Sequence, residues 1–232
     1  GLTSARAVDS AAKAPSKTEM EQIVHDYIMN NPQVVLESVD NYQKKSMQDH
    51  QEAALKKNKD VLLKDSNSPE AGNPNGDVTV IEFFDYNCHY CKSALPNVEA
   101  LIAKDKKIRF VFRDFPILGP PSDTAARWAL AAQKQNKYFE FHKAVMGSKT
   151  PISDESLEKT AASIGMKIDQ AKKDTESADV LLQLDKNRSL ASTLGLSGTP
   201  AFIIGDEVIP GVISLEDMEQ KISDIRKAAV KK

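Results

Sequence analysis

Cys88 and Cys91 bracket the tetrapeptide Cys88-His89-Tyr90-Cys91, and the 232-residue chain holds no other cysteine. A thiol pair at this spacing either cycles between dithiol and disulfide or binds a metal. A chain this long buries enough core to fold without a covalent staple, so the pair suits chemistry better than stability. The stretch before it, Val78-Thr79-Val80-Ile81-Glu82-Phe83-Phe84, is β-branched and aromatic and reads as a buried strand. A helix should follow from about His89, with Ala94, Leu95, Val98, Leu101 and Ile102 inward and Pro96 kinking it. The first N–H groups of a helix lack internal partners and its dipole is positive there, so a thiolate at Cys88 is favoured over the thiol. Cys91, one turn further in, should be more buried and should resolve the mixed disulfide. A protonated His89 would make the Cys88 thiolate a better leaving group and the disulfide more oxidising.

Other uses of the pair stay open. Zinc takes about four ligands, and His25, His50 and His142 are scattered along the chain. Copper(I) accepts two soft thiolates. Glu82 either lies on an exposed edge or faces apolar surroundings; in the second case its pKa should rise, making it a proton acceptor for Cys91. Thr199-Pro200 follows Gly198 and precedes the apolar run Ala201 to Ile204. No local rule makes that peptide bond cis, since X-Pro bonds in folded proteins are cis only about 5% of the time. His142, Trp128 and the Phe115-Pro116 corner read as packing residues.

The elements that must position these residues follow from pattern. The chain is 41% hydrophobic and 28% charged, with 31 basic against 33 acidic residues. That is globular composition; it carries no basic excess for nucleic acid, and no apolar run reaches the roughly 18 residues a membrane span needs. Residues 1–17 are small and polar and read as a flexible terminus from which any leader has gone. From Thr18, a candidate cap, Met20, Ile23, Val24, Tyr27 and Ile28 form one helical stripe, broken at Asn31-Pro32. Val35, Leu36, Val39 and Tyr42 form the next. Residues 18–45 are therefore expected to self-associate, the alternative being that their stripes pack back on the main domain, and 46–77, a polar helix ending in the turn-rich DSNSPEAGNPNGD, to serve as stalk and linker. After the first strand and helix comes a second strand, Ile108 to Phe115, parallel to the first. Helices are expected from Ser122 (through Phe139), from Ser153 to Gly165, and around Val180 to Leu194; then strands at 201–204 and 208–209, and a last helix from Ser214. The order β-α-β, helices, β-β-α describes an α/β protein with a thioredoxin-type sheet and a helical insertion at about 116–195.

Residues 78–232 resemble the DsbA family of bacterial periplasmic thiol–disulfide oxidoreductases. The likeness is carried by VTVIEFFDYNCHYCK, FRDFPILGP and GTPAFIIG, in that order and spacing. It implies a thioredoxin fold in which Cys88 is the nucleophile, Cys91 the resolving thiol and Glu82 the buried acid beside it. It also implies that Thr199 and Pro200 form a cis-proline loop which, with Tyr90, meets substrate. The N-terminal IVHDYIMNNPQVVLESVDNYQKK resembles the extension of oligomeric DsbA-like proteins such as ScsC, and the layout parallels DsbC. His-Tyr replaces the Pro-His of the best-known oxidase, so the likeness does not carry over a redox potential.

Together these imply a periplasmic homo-oligomer, a dimer by preference with a trimer as the alternative, that forms and isomerises disulfides in unfolded or misoxidised secreted proteins. It would need no cofactor or metal beyond the Cys88–Cys91 disulfide, would be reset by a membrane partner of DsbB or DsbD type, and would not bind nucleic acid. The competing expectations are a copper(I) carrier or copper-stress protein using the same thiolates, and a non-catalytic chaperone.

Overall fold

A computed structural model describes residues 14–230, which divide into two compact units at Gln48. Most of the 1–17 segment lies outside the described residues.

In the first unit, helix α1 (Lys17–Asn30) is capped by Ser16, two residues before the expected Thr18. The reason is reciprocal hydrogen bonding: the Glu19 N–H donates to the Ser16 hydroxyl, and the Ser16 N–H donates to the Glu19 carboxylate at 2.8 Å. Asn31 closes the helix through its side-chain N–H on the Tyr27 carbonyl, 2.8 Å. Helix α2 (Gln33–Lys57) starts after Pro32. The apolar stripe residues of both helices, including Ile23, Tyr27, Leu36 and Tyr42, are exposed.

The second unit begins within α2, whose Ala54 and Leu55 are buried, and continues through α3 (Lys59–Lys64) and β1 (Glu70–Gly72). Then come β2 (Val78–Phe84), α4 (His89–Lys104) and β3 (Ile108–Asp114). Five helices follow: α5 (Pro120–Lys134), α6 (Tyr138–Gly147), α7 (Asp154–Ser163), α8 (Ile168–Thr175) and α9 (Ala178–Thr193). The chain closes with β4 (Ala201–Ile204), β5 (Glu207–Pro210) and α10 (Leu215–Val230). The sheet order is β1-β3-β2-β4-β5, with β2 and β3 parallel and every other pairing antiparallel. This is a thioredoxin-type sheet, with the helical block inserted between β3 and β4. Among the described residues no helix is long and apolar enough to cross a membrane.

Strand alternation divides the core between the two sheet faces. Val80, Phe84, Phe110, Phe112, Phe202 and Ile204 pack with Cys91, Leu101, Phe141, Met218 and Ile222. On the other face Ile81, Phe83, Val111 and Ile203 pack with Ala54, Leu55, Leu62, Leu190 and Leu194.

Two expectations are corrected here. The segment 46–77 is not a spacer. Leu55 and Leu62 cover one sheet face, and Glu70–Gly72 is an edge strand registered against Arg109–Val111. Asp65 is buried and paired with the fully buried Arg113 at 2.7 Å. Gly76, in the supposed linker, lies so close to the main chain of Lys107 to Arg109 that no Cβ fits. The turn-rich composition was real, but those turns lead into and out of a strand. The second correction concerns Phe139, which lies on α6 rather than on the preceding helix. That helix starts at Pro120, where proline suits the first turn, and ends at Lys134; Asn136 is then left-handed (φ 58°), so α6 begins anew.

Candidate functional site

The thiols sit where β2 hands over to α4. Asp85, the residue after β2, is buried, and its carboxylate accepts from the N–H groups of Asn87 (2.7 Å), Ile117 (2.8 Å) and Leu118 (3.0 Å) and from the Ser122 hydroxyl (2.7 Å). It ties the thiol loop to the segment after β3. The Cys88 N–H donates to the Asp85 carbonyl at 3.1 Å, which sets Cys88 as the extended N-cap of α4 (φ −78°, ψ 120°). The Cys88 thiol faces the Thr199 carbonyl oxygen at 3.2 Å. The Thr199-Pro200 peptide bond is cis. The loop is held from β5's end, where the Gly211 N–H donates to the Pro200 carbonyl at 2.8 Å.

Cys91 is fully buried. Burial pushes its thiol far above the ordinary value; hydrogen bonds to the Asp85 main chain and the Thr199 side chain oppose this, while the charges of Glu82 and Cys88 add to it. Glu82 is only 2% exposed, which settles the two possibilities left by its pattern. It shares a sheet face with Phe84 and lies opposite Phe112 and Phe202 in register, residues that pack with Cys91. Burial, with the Cys88 charge as a second cause, pushes its carboxyl from 4.5 up to about 8.

The structure thus brings together Cys88, Cys91, Glu82, Thr199 and Pro200. His89 and Tyr90 stand outside this cluster on the exposed first turn of α4, their rings 5.9 Å apart. Pattern analysis passed over Asp85; its signal was an Asx residue at a strand end, two before an asparagine, a common loop-tying arrangement. It also passed over an exposed apolar rim: Tyr90, the Asp85-tethered Ile117 and Leu118, and Val212 next to Gly211. The two thiols are the soft donors at this site. Among the described residues no group of three or more His, Cys, Asp or Glu converges, so a soft ion could be offered two thiolates.

A DSBA-like thioredoxin domain model matches residues 79–223, more than half of the chain. The chain belongs to the DsbA-like thioredoxin family. A second model, the copper resistance protein ScsC N-terminal domain, matches residues 17–48. Among similar solved structures, a thioredoxin-like oxidoreductase from Silicibacter pomeroyi is 41% identical, over 72% of this chain and 97% of that one, with a TM-score of 0.71. The thiol-disulfide exchange protein alpha-DsbA2 from Wolbachia pipientis is 32% identical, over 78% and 98%, with a TM-score of 0.73. A Proteus mirabilis ScsC variant with a linker deletion is 27% identical, over 93% and 97%, with a TM-score of 0.72. The chain also matches part of longer curated proteins. One is the Na(+)/H(+) antiporter NhaA 3 of Salinispora tropica, 24% identical over 147 residues. That match covers 62% of this chain and 22% of the antiporter, so the chain spans about a fifth of its length.

Proposed function

We propose that the protein is an oligomeric thiol–disulfide oxidoreductase that forms and isomerises disulfides in secreted proteins, working in the periplasm. The observation that carries this is Cys88 at the head of α4, facing the Thr199 carbonyl, with Cys91 buried one turn behind it. Membership of the DsbA-like family supports the reaction class.

In the oxidising direction a substrate thiolate attacks Cys88 of the Cys88–Cys91 disulfide and expels Cys91, which takes a proton from neutral Glu82. A second substrate thiolate then attacks the substrate sulfur of the mixed disulfide, expelling the Cys88 thiolate. The substrate loses two electrons and the protein gains them. A membrane partner of DsbB or DsbD type reoxidises or reduces the pair. In isomerisation the Cys88 thiolate attacks a wrong substrate disulfide, forming a mixed disulfide and freeing one substrate thiolate; a different substrate thiolate then attacks the bonded substrate sulfur, forming the new disulfide and expelling the Cys88 thiolate. The redox equivalents are held by the two sulfurs themselves, with no cofactor. The apolar rim of Tyr90, Ile117, Leu118 and Val212 suits unfolded chain, whose apolar side chains are accessible. The exposed stripes of α1 and α2, in the stretch matched by the ScsC N-terminal domain, support self-association through residues 18–45, with a dimer preferred.

Insulin reduction and refolding of scrambled ribonuclease test the proposal. Activity in both is expected; inactivity in both, with the two cysteines intact, refutes it. The ScsC likeness also favours a second reading, copper(I) carriage on the same thiolates. Copper(I) titration of the reduced protein separates the two: affinity no better than that of a small dithiol, and unchanged in Cys88→Ser, eliminates carriage.

A further inference from the structure

Behind the thiol site lies a second buried acid that the proposed mechanism does not use. Asp114, the last residue of β3, is paired in register with Phe84, so it shares a sheet face with Glu82 and is its diagonal neighbour. Strand spacing and rise put the two Cα atoms roughly 8 Å apart. Asp114 is fully buried. One carboxyl oxygen accepts the Tyr138 hydroxyl at 2.9 Å, while the other is buried without a partner among the described residues. A buried carboxyl oxygen left unpaired in this way is uncommon in a fold that satisfies most of its buried polar groups, and it calls for a reason.

The surroundings connect Asp114 to the thiol loop. Tyr138 and His142 approach from α6, with ring centroids 6.0 Å apart. Tyr86, two residues before Cys88, places its hydroxyl 3.3 Å from His142 Nδ1 and interacts with the Tyr138 hydroxyl. Of the ionisable groups around Asp114, Asp85 and Tyr86 come from the loop after β2 and Tyr138 from α6, where His142 lies beside Tyr86 and Tyr138; Glu82 is the diagonal neighbour on β2. His142 stays neutral, its value pushed down by burial to about 3. From α9, Asn187 donates to the Asp114 main-chain carbonyl at 3.0 Å. Arg113 points to the opposite face, where Asp65 holds it. No cation therefore faces Asp114 among the described residues.

We propose that Asp114 is a positioning residue of the thiol site, its charge state setting the proton affinity of Glu82 and so the pH at which Cys91 can attack. It neither gives nor takes the Cys91 proton, which passes to Glu82. The inference rests on the oxidoreductase reading for its consequence, but its physical content is a coupling between two carboxyls. Burial, with the Asp85 charge adding to it, pushes Asp114 up to about 7 against the Tyr138 hydrogen bond, and burial pushes Glu82 up to about 8, so the two acids titrate in neighbouring ranges. An anion at Asp114 repels the one forming at Glu82. Removing it should lower the Glu82 midpoint by about one pH unit at this separation.

The test follows the Glu82 carboxyl by 13C NMR from pH 5 to 9 in the reduced full-length protein, beside Asp114→Asn and Tyr138→Phe. Asp114→Asn keeps an acceptor for Tyr138 but cannot ionise. Tyr138→Phe removes a donor that favours the anion, so Asp114 stays neutral to higher pH. Both should move the Glu82 midpoint down. The pH profile for release of thionitrobenzoate from a mixed disulfide on Cys88, which reads Cys91 attack, should move with it. A Glu82 midpoint that does not move from that of the unmodified protein in a folded Asp114→Asn variant overturns the proposal. If that variant does not fold, the same null result in Tyr138→Phe overturns it. A shifted Glu82 midpoint with an unmoved release profile also overturns it. Failure of the functional reading would show in the insulin and ribonuclease assays and leave the carboxyl titrations as they are.

Discussion

The Cys88 thiol and the Thr199 carbonyl oxygen meet at 3.2 Å, although 111 positions separate the two residues in the chain. The side chain of the same threonine acts on the Cys91 thiol, opposing the upward push of burial. One residue on the loop before β4 thus bears on both sulfurs, its carbonyl meeting the outer one and its side chain favouring the anion of the inner.

Thr199→Val should therefore slow the opening of the disulfide. The hydroxyl stabilises Cys91 as a departing thiolate, and a lost hydrogen bond of about 1 kcal/mol corresponds to a rate about five-fold lower. Stopped-flow reduction of the Cys88–Cys91 disulfide by glutathione measures this. An unchanged rate would show that the hydroxyl does not act on the leaving sulfur.

The two cysteines should fail in different ways. Cys88→Ser should show no thiol–disulfide exchange, because the remaining thiol is buried. Cys91→Ser should form a mixed disulfide with substrate and keep it, since nothing resolves the adduct. Intact-mass spectrometry after mixing with a thiol-containing peptide distinguishes the variants. An adduct on Cys88→Ser would reverse the assigned roles.

Glu82 should cost stability at neutral and alkaline pH. Its folded value of about 8 lies above its ordinary 4.5, so the folded state binds more protons than the unfolded state between those values. The contribution is fully present below pH 4.5 and is lost as pH rises through about 8. Glu82→Gln removes that dependence. At pH 7.5 the variant should be more stable by a few kcal/mol, with little difference at pH 4.5, while its Cys91-dependent resolving step slows. Urea unfolding at the two pH values checks the sign. A variant no more stable at the higher pH would mean that the carboxyl is better solvated than its position implies.

The boundary of the catalytic unit can be located by truncation. Removing residues 1–45 leaves the buried Ala54, Leu55, Leu62 and Asp65 in place, so the remainder should unfold cooperatively at a similar temperature. If residues 18–45 drive association, light scattering should show a monomer. Removing residues 1–77 takes away β1 and leaves the buried Arg113 without Asp65. An unpaired buried charge alone costs about 3–5 kcal/mol, and the loss of apolar cover over Ile81 and Phe83 adds to it. That shorter chain should fail to fold or should melt at least ~10 °C lower. Equal melting temperatures for the two truncations would restore 46–77 as a mere linker. Asp65→Ala in the full chain isolates the ion-pair part. Burial works against the Asp65 charge, but hydrogen bonds from Lys186, Gln183 and Arg113 overcome it and hold the carboxyl well below its usual range.

What pattern alone settled was local. A β-branched run followed by Cys-x-x-Cys and a 3.6-residue apolar stripe specifies a strand, a helix start and a thiol at the free N–H end. The same periodicity showed the α1 and α2 stripes and the break at Asn31-Pro32, because each signal lies within a turn or two of chain. Tertiary structure decided the rest. Glu70–Gly72 has no strand pattern of its own and becomes β1 because Arg109–Val111 offers it a ladder. Glu82 could have faced either environment until β3 and β4 closed over its two sides. Asp65 with Arg113, Tyr138 with Asp114, and Cys88 with Thr199 are partners drawn from distant parts of the chain. A residue's immediate neighbours limit its backbone and the face it shows; which charge, hydroxyl or carbonyl meets it there depends on how the whole sheet and its helices pack.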